Sequence, residues 1–324
     1  MASVRVGVLR GGPSSEYDVS LQTGKSVLAH LPEHYRKHDI LITKDGVWHW
    51  QGLPTTPAKV ARQVDVFFNA LHGEYGEDGR LQSLLDQLGT PYTGSGTFAS
   101  AIAMNKVMAK EVFRRQGLKV PQGVLLKPTY GEIIDLELYA SQIFKKIAPP
   151  WVVKPADRGS SVGLYFARTF PELVEALRQS FAVSQKVLVE EYIRGREATV
   201  GVVDHFRGQP RYVLPIIEIR RPSGKQVWDY TDKYSGGTEE ICPGAFSVNE
   251  KAAMEQMAVQ AHEALGLRHY SRSDFIISPR GIYILETNTL PGMTAESLLP
   301  KALLAVGCRY PDFLDHLIKL AYNK

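Results

Sequence analysis

The stretch Tyr270–Leu298, YSRSDFIISPRGIYILETNTLPGMTAESL, constrains the fold most, because it places charges where paired strands tolerate them least. Two apolar runs, Asp274–Ile277 and Ile282–Leu285, flank Ser278-Pro279-Arg280-Gly281. Pro279 suits the first corner of a type I turn, and Gly281 suits the left-handed residue that closes a three-residue hairpin loop. That register pairs Ser278 with Ile282, Asp274 with Glu286 and Arg272 with Asn288. Side chains alternate along a strand, so Arg272, Asp274, Glu286 and Asn288 share one face. Two carboxylates directly opposite, with Cβ atoms roughly 5 Å apart, repel each other. A proton or an intervening cation relieves such repulsion. Asn288 adds a neutral oxygen, and the resulting all-oxygen set suits magnesium with phosphate completing its shell. Arg272 on the same face suits an anion. A hairpin with solvated charges is the plain alternative; the flanking apolar runs and the Pro291-Gly292 loop favour a built site.

The chain has 324 residues, of which 44% are hydrophobic, enough for two domains or three small ones. Its net charge is only +4, and no basic block exceeds Arg114-Arg115 or Arg220-Arg221, so a nucleic-acid stripe is not expected. Two cysteines, Cys242 and Cys308, argue against a disulfide scaffold and fit a reducing cytoplasm. The N-terminus enters a strand at once, without a leader, and no apolar run approaches the roughly 20 residues a membrane helix needs.

Strands and helices alternate from the start. Val4–Leu9 reads as a strand, followed by the Gly-rich turn at Gly11-Gly12-Pro13 and a helix through Leu21, Val27, Leu28 and Leu31. A helix start after such a turn is ready for an anion. Glu16 there has two readings: a contact with the helix dipole, or a carboxylate for a substrate ammonium. Gly24-Lys25-Ser26 imitates the end of a Walker A loop, but Val19 stands where that motif needs glycine. Val64–Leu71 is a buried strand ending in His72-Gly73-Glu74-Tyr75-Gly76-Glu77-Asp78-Gly79, where open α/β sheets bind ligands. Leu81, Leu84, Leu85 and Leu88 mark a helix stopped by Gly89. Gly94-Ser95-Gly96-Thr97-Phe98-Ala99 reads as a domain junction.

One helix is expected from Ala99 to Gln116, carrying Lys106. A strand near Val124 and a helix over Leu136–Ile147 follow. Two strands then flank the loop Asp157-Arg158-Gly159-Ser160-Ser161, whose amides suit phosphates, with Lys154 supplying a cation. Lys186–Tyr192 is a strand whose end, Glu190-Glu191-Tyr192-Ile193, suits a nucleotide hinge. The stretch from Trp228 to Ile241, with Lys233, Tyr234 and Gly236-Gly237, suits a lid that excludes water. Met254, Met257, Ala258, Ala261 and Leu265 form a core stripe.

Ser14–Ser20, His72–Gly79, Pro91–Ser95, Trp151–Gly163, Lys233–Tyr234 and Glu286–Thr294 together resemble, in order and over nearly the whole chain, the D-alanine–D-alanine ligases, which are ATP-grasp enzymes. The resemblance implies an α/β (α+β) protein of three domains, 1–97, 98–188 and 189–324, with ATP between the last two. It implies that Lys106, Lys154 and Lys233 contact ATP phosphates, that Glu190, Glu191, Tyr192 and Ile193 line the adenine pocket, and that Glu197 binds ribose. Asp274, Glu286 and Asn288 are then ligands of two magnesium or manganese ions. Glu16 takes the ammonium of the first D-alanine, and Arg272 with the Gly292 amide forms the oxyanion site. Ser297 takes the carboxylate of the second D-alanine, while Ser160 and Tyr234 link to Glu16. Glu191 stands where relatives frequently carry lysine, so only its backbone carries over. A cytoplasmic homodimer making D-alanyl-D-alanine for peptidoglycan through an acyl phosphate is the implied whole. A ligase using another nucleophile, such as D-lactate, is the alternative.

Overall fold

A computed structural model describes residues 3–128, 134–157, 163–220 and 238–323. Ser160, Lys233 and Tyr234 lie outside the described residues.

Three sheets organise the chain. The first contains β1 (Arg5–Gly11), β2 (Arg36–Ile42), β3 (Trp48–Trp50), β4 (Leu53–Thr55) and β5 (Val66–Asn69), in the order β4-β3-β2-β1-β5. β1 lies parallel to both β2 and β5. Val6, Val8, Leu9, Phe67 and Phe68 are all buried, as expected where both faces of a parallel sheet are covered. Helices α1 (Tyr17–His30), α2 (Pro57–Ala61) and α3 (Arg80–Leu88) belong to this unit. Leu81 and Leu85 of α3 are fully buried, each contributing about 1.5–3 kcal/mol of hydrophobic free energy.

The expected helix over 99–116 is two helices, α4 (Thr97–Met104) and α5 (Lys106–Arg115). Asn105 breaks it: its backbone is extended, and its side chain accepts from the Val107 and Met108 amides. An asparagine N-cap is worth about 1 kcal/mol, and apolar periodicity, unbroken through Ala99–Phe113, hides it. The break puts Lys106 on the first turn of α5, whose amide donates to Ala156 O at 3.1 Å.

The second sheet is antiparallel, β6 (Gly123–Leu126), β7 (Trp151–Pro155), β8 (Tyr165–Ala167) and β9 (Val187–Glu191), ordered β6-β9-β7-β8. Helices α6 (Leu136–Phe144) and α7 (Phe170–Val183) form its core with Trp151, Val153, Val187 and Val189. β9 crosses position 188 and runs on to Glu191.

The third sheet holds β10 (Arg196–Asp204), β11 (Arg211–Val213), β12 (Ile217–Arg220), β13 (Glu239–Ile241), β14 (Tyr270–Ser278) and β15 (Gly281–Asn288). Its order is β13-β12-β10-β14-β15, with β11 on β10. α8 (Val248–Ala264) starts at a capping box, Ser247 with Glu250, and buries Met254, Ala258 and Ala261 beside α4 and α5 on one face of this sheet. α9 (Leu298–Ala305) and α10 (Tyr310–Tyr322) follow. α10 carries Phe313, Leu314 and Leu317 into the same core as Val6, Val8 and Phe68 of the first sheet.

The Pro91–Ser95 loop is bonded to the third sheet. Gly94 N donates to His269 Nδ1 at 3.0 Å, and Arg268 Nε donates to Gly94 O at 2.7 Å. Burial pushes the His269 imidazole down to about 3, which keeps Nδ1 an acceptor.

Candidate active site

The β14–β15 hairpin builds the centre of the site. Asp274 pairs with Glu286 and Arg272 with Asn288, as the sequence predicts. The turn differs: Ser278 pairs with Gly281 and Ile277 with Ile282, so only Pro279 and Arg280 form the loop. Ser278 Oγ holds this tighter turn, accepting from Arg280 N at 3.1 Å and donating to Gly281 O at 3.0 Å. A β-bulge between Asp274 and Phe275 restores the pairing beyond it, with Leu285 as the extra residue on β15.

β10 extends the polar face. Thr199 lies opposite Asp274 and Gly201 opposite Arg272. Thr199 Oγ1 donates to Asp274 Oδ1 at 2.6 Å. A Cβ on Gly201 would lie 2.8 Å from Leu299 Cδ1, so glycine there lets α9 sit close to the sheet. That seat brings Ser297, at the N-cap of α9, to the end of the hairpin.

The face is graded along the strands. At one end Ile193, Ile276 and Tyr283 form a small apolar cluster with Leu285 packed against it, and Glu197 lies opposite Ile276. Tyr192 beside it sets its ring edge-on to Phe166 at 5.0 Å. In the middle sit Asp274 and Glu286. At the other end a cavity of about 200 Å³ is lined by Glu16, Lys106, Arg272, Glu286, Asn288, Gly292 and Ser297. Seven residues proposed from the sequence therefore meet around one small space.

Their charges are matched in pairs. Arg272 chelates Asp274 with two hydrogen bonds of 3.0 Å. Burial opposes the Arg272 charge, but Asp274 and then Glu286 outweigh it and raise the guanidinium pKa further. Lys106 Nζ lies 3.3 Å from Glu286 Oε2. Lys154 Nζ lies 2.8 Å from Glu190 Oε2, and Lys110 bonds the other oxygen of Glu190. Burial disfavours ionised Glu190, yet the two lysines overcome it and hold the carboxyl down at about 2. Glu191 points elsewhere: it pairs with Arg280 at 2.8 Å and accepts from Gln122 N at 3.0 Å.

Glu16 is buried beside His72 and Glu77, their ligand atoms all within 4.8 Å of one another. His72 Nε2 bonds Thr23 Oγ1 at 2.8 Å, and Gly73 N donates to Glu77 Oε1 at 2.8 Å. Burial lowers the His72 pKa, but Glu77 and Glu16 reverse that and raise it. The Gly292 backbone lies so near Ser297 that a Cβ on it would be 2.7 Å from Ser297 Oγ. Ser297 Oγ is held by Thr294, through its amide at 3.1 Å and its hydroxyl at 2.9 Å.

The donor set fits a hard divalent cation on a specific ground. Asn288 Oδ1 is buried and has no hydrogen-bond partner among the described residues, beside two carboxylates. A buried acceptor left unsatisfied costs about 1–3 kcal/mol, and a cation in reach of all three oxygens would satisfy it.

Sequence reasoning missed Lys110, Thr199, and any role for His72 and Glu77. The four-residue spacing of Lys106 and Lys110 was a legible signal, because such positions share a helix face. Thr199 gave no signal; only strand pairing brings it to Asp274.

The family model "D-ala D-ala ligase C-terminus" matches residues 112–319, and "D-ala D-ala ligase N-terminus" matches 5–56 and 51–95. The D-alanine–D-alanine ligase of Syntrophobacter fumaroxidans is 39% identical, over 98% of this chain and 97% of its own. That of Pelotomaculum thermopropionicum is 37% identical, over 98% and 97%. Among solved structures, VanG D-Ala:D-Ser ligase from Enterococcus faecalis superposes with a TM-score of 0.85 at 29% identity, covering 98% of this chain and 99% of that one. The ATP complex of the Bacillus anthracis D-alanine–D-alanine ligase gives 0.79 at 30% identity, covering 99% and 98%. The chain belongs to the D-alanine–D-alanine ligase family and has its ATP-grasp fold.

Proposed function

We propose that the protein joins two D-alanines into D-alanyl-D-alanine at the expense of ATP, in the cytoplasm, for peptidoglycan precursor synthesis. One observation carries this reading: Glu16, Arg272, Gly292 and Ser297 converge with Glu286 and Asn288 on one cavity of about 200 Å³. An ammonium holder, an anion holder and an oxygen-rich cation site are thus within reach of one small amino acid. The unpaired thiols Cys242 and Cys308 suit the compartment. Among the described residues no helix is long and apolar enough to cross a membrane. The family resemblance supports a homodimer and a division near 1–97, 98–188 and 189–324, with the second boundary moved past the end of β9 at Glu191.

ATP is assigned to the graded face. Lys106, Lys154 and Lys233 take its phosphates, Glu190 through Ile193 its adenine and Glu197 its ribose. Asp274, Glu286 and Asn288 would hold two magnesium or manganese ions, which neutralise phosphate charge when bound.

A carboxylate is a poor acyl donor. An oxygen of the first D-alanine carboxylate attacks the γ-phosphorus, and the bond to the β-phosphate oxygen breaks, releasing ADP. The buried Glu16 anion fixes the ammonium of that alanine. The amine of the second D-alanine, its carboxylate at Ser297, then attacks the acyl carbon. Negative charge develops on the carbonyl oxygen, where the Arg272 guanidinium and the Gly292 amide stabilise it. Collapse expels inorganic phosphate, which can carry off the proton the attacking amine loses, and leaves the peptide bond. Glu16 and Arg272 hold two substituents of one carbon, which orients the reacting carboxyl group.

Phosphate release with magnesium, ATP and either enantiomer of alanine tests the reading; equal rates with L-alanine would overturn it. The likeness to VanG favours one second reading, transfer to D-serine. Quantifying dipeptide products with D-alanine and D-serine in competition, and depsipeptide with D-lactate, separates the nucleophiles.

A further inference from the structure

Lys110 has no place in the chemistry above, yet it is 2% exposed, while most of the other described lysines face solvent. It shares Glu190 with Lys154: one oxygen goes to each ammonium. The three groups are layered. The side chains of Lys110 and Glu190 are 2% and 3% exposed, whereas that of Lys154 is 11% exposed. Lys110 is the inner counterion and Lys154 the outer one. Gly123 on β6 makes the room, since a Cβ there would lie 3.1 Å from Glu190 Cγ.

A buried carboxylate with a single lysine partner locks that lysine, because withdrawing it strands an unpaired charge. A second, deeper lysine removes the penalty. We propose that Lys110 is a positioning residue that keeps Glu190 ionised and in place, so that Lys154 is released to the nucleotide phosphates. This rests on the reading that Lys154 contacts those phosphates. Lys110 itself touches no substrate. It arrives from α5, one turn beyond Lys106, so one helix sets both lysines against their carboxylates: Glu286 on the third sheet and Glu190 on the second.

The test is a double-mutant cycle on the full-length protein, reading the dissociation constant of the non-hydrolysable analogue adenylyl imidodiphosphate with magnesium by calorimetry. Lys110→Met is expected to weaken binding about tenfold or more by leaving Lys154 as the sole partner of Glu190. In a Glu190→Gln background the same change is expected to have no effect, because no buried carboxylate remains to hold Lys154. A general packing defect would persist in both backgrounds, so equal losses overturn the proposal. So does a folded Lys110→Met protein that binds like the wild type. Should Lys110→Met fail to fold, the comparison is Glu190→Gln against Lys110→Met/Glu190→Gln, which strands no carboxylate; weaker binding by the double variant overturns the proposal. Lys154→Met is the separate control. If it leaves analogue binding unchanged, the phosphate assignment itself fails; if it weakens binding while Lys110→Met does not, only the role of Lys110 falls.

Discussion

Lys106 Nζ lies 3.3 Å from Glu286 Oε2, so a cation assigned to phosphate rests against a carboxylate assigned to metal. Arg272 on Asp274 repeats the arrangement, whereas Lys154 rests on Glu190, a carboxylate that keeps Lys110 as a second partner. Among the described residues, Lys106, Lys154 and Arg272 of the site each have an acidic neighbour within the protein. On the proposed assignment, binding is an exchange of partners: magnesium would take Asp274 and Glu286 while the substrates take Lys106 and Arg272. Neither ligand alone would satisfy both sides, so the proposed assignment predicts that metal and nucleotide binding depend on each other.

Glu286→Gln keeps the shape and removes the negative charge that faces Lys106 and Arg272. Turnover is expected to fall by at least about a hundredfold at ordinary magnesium, with the thermal midpoint little changed. Initial rates against magnesium concentration check it; a near-normal rate refutes the assignment of this face.

Asn288→Leu removes a buried acceptor that has no hydrogen-bond partner among the described residues. Stability without metal is expected to hold or rise by about 1 kcal/mol, while manganese affinity falls. Urea denaturation and manganese titration by electron paramagnetic resonance separate the two effects. A loss of stability without metal would show that the amide serves the fold.

Glu16→Ala is expected to raise the Michaelis constant for the first D-alanine about tenfold or more, leaving that for ATP within about twofold. Steady-state kinetics at saturating second substrate decide. A change confined to ATP places Glu16 elsewhere.

Gly292→Ala sets a methyl group 2.7 Å from Ser297 Oγ, which Thr294 prevents from turning away freely. Affinity for the second D-alanine is expected to drop about tenfold, with smaller change for the first. Substrate titrations on the two subsites give the ratio; equal losses would point to general distortion.

Glu190 is held at about 2, below the ordinary value of 4.5. The unfolded state thus binds its proton first as pH falls, so the stabilisation is complete above about 4.5 and is lost on the way down to about 2. Glu190→Gln is expected to flatten the urea midpoint between those limits relative to wild type. Parallel curves would mean that Glu190 does not titrate there.

The alternation of apolar and polar residues made the hairpin face legible, because strand periodicity alone sets Arg272, Asp274, Glu286 and Asn288 on one side. Glu16 had two local readings that only the resemblance decided between, and Gly292 and Ser297 drew their roles from the resemblance alone, since nothing local says that distant segments meet. The two-helix break at Asn105 was masked by an unbroken apolar pattern, and Lys110 by the habit of reading a helix lysine as solvated. The turn was misjudged by one residue and the bulge was invisible; the errors cancelled, so the pairing of Asp274 with Glu286 was right while the loop was not.

That cancellation describes the molecule as well. Leu285 takes up the one-residue difference between a short turn and the pairing of Asp274 with Glu286. The tip at Pro279-Arg280 and the chemistry at Asp274 and Glu286 are thereby separately adjustable. Lengthening the tip by one residue while deleting Leu285 would leave Asp274 paired with Glu286.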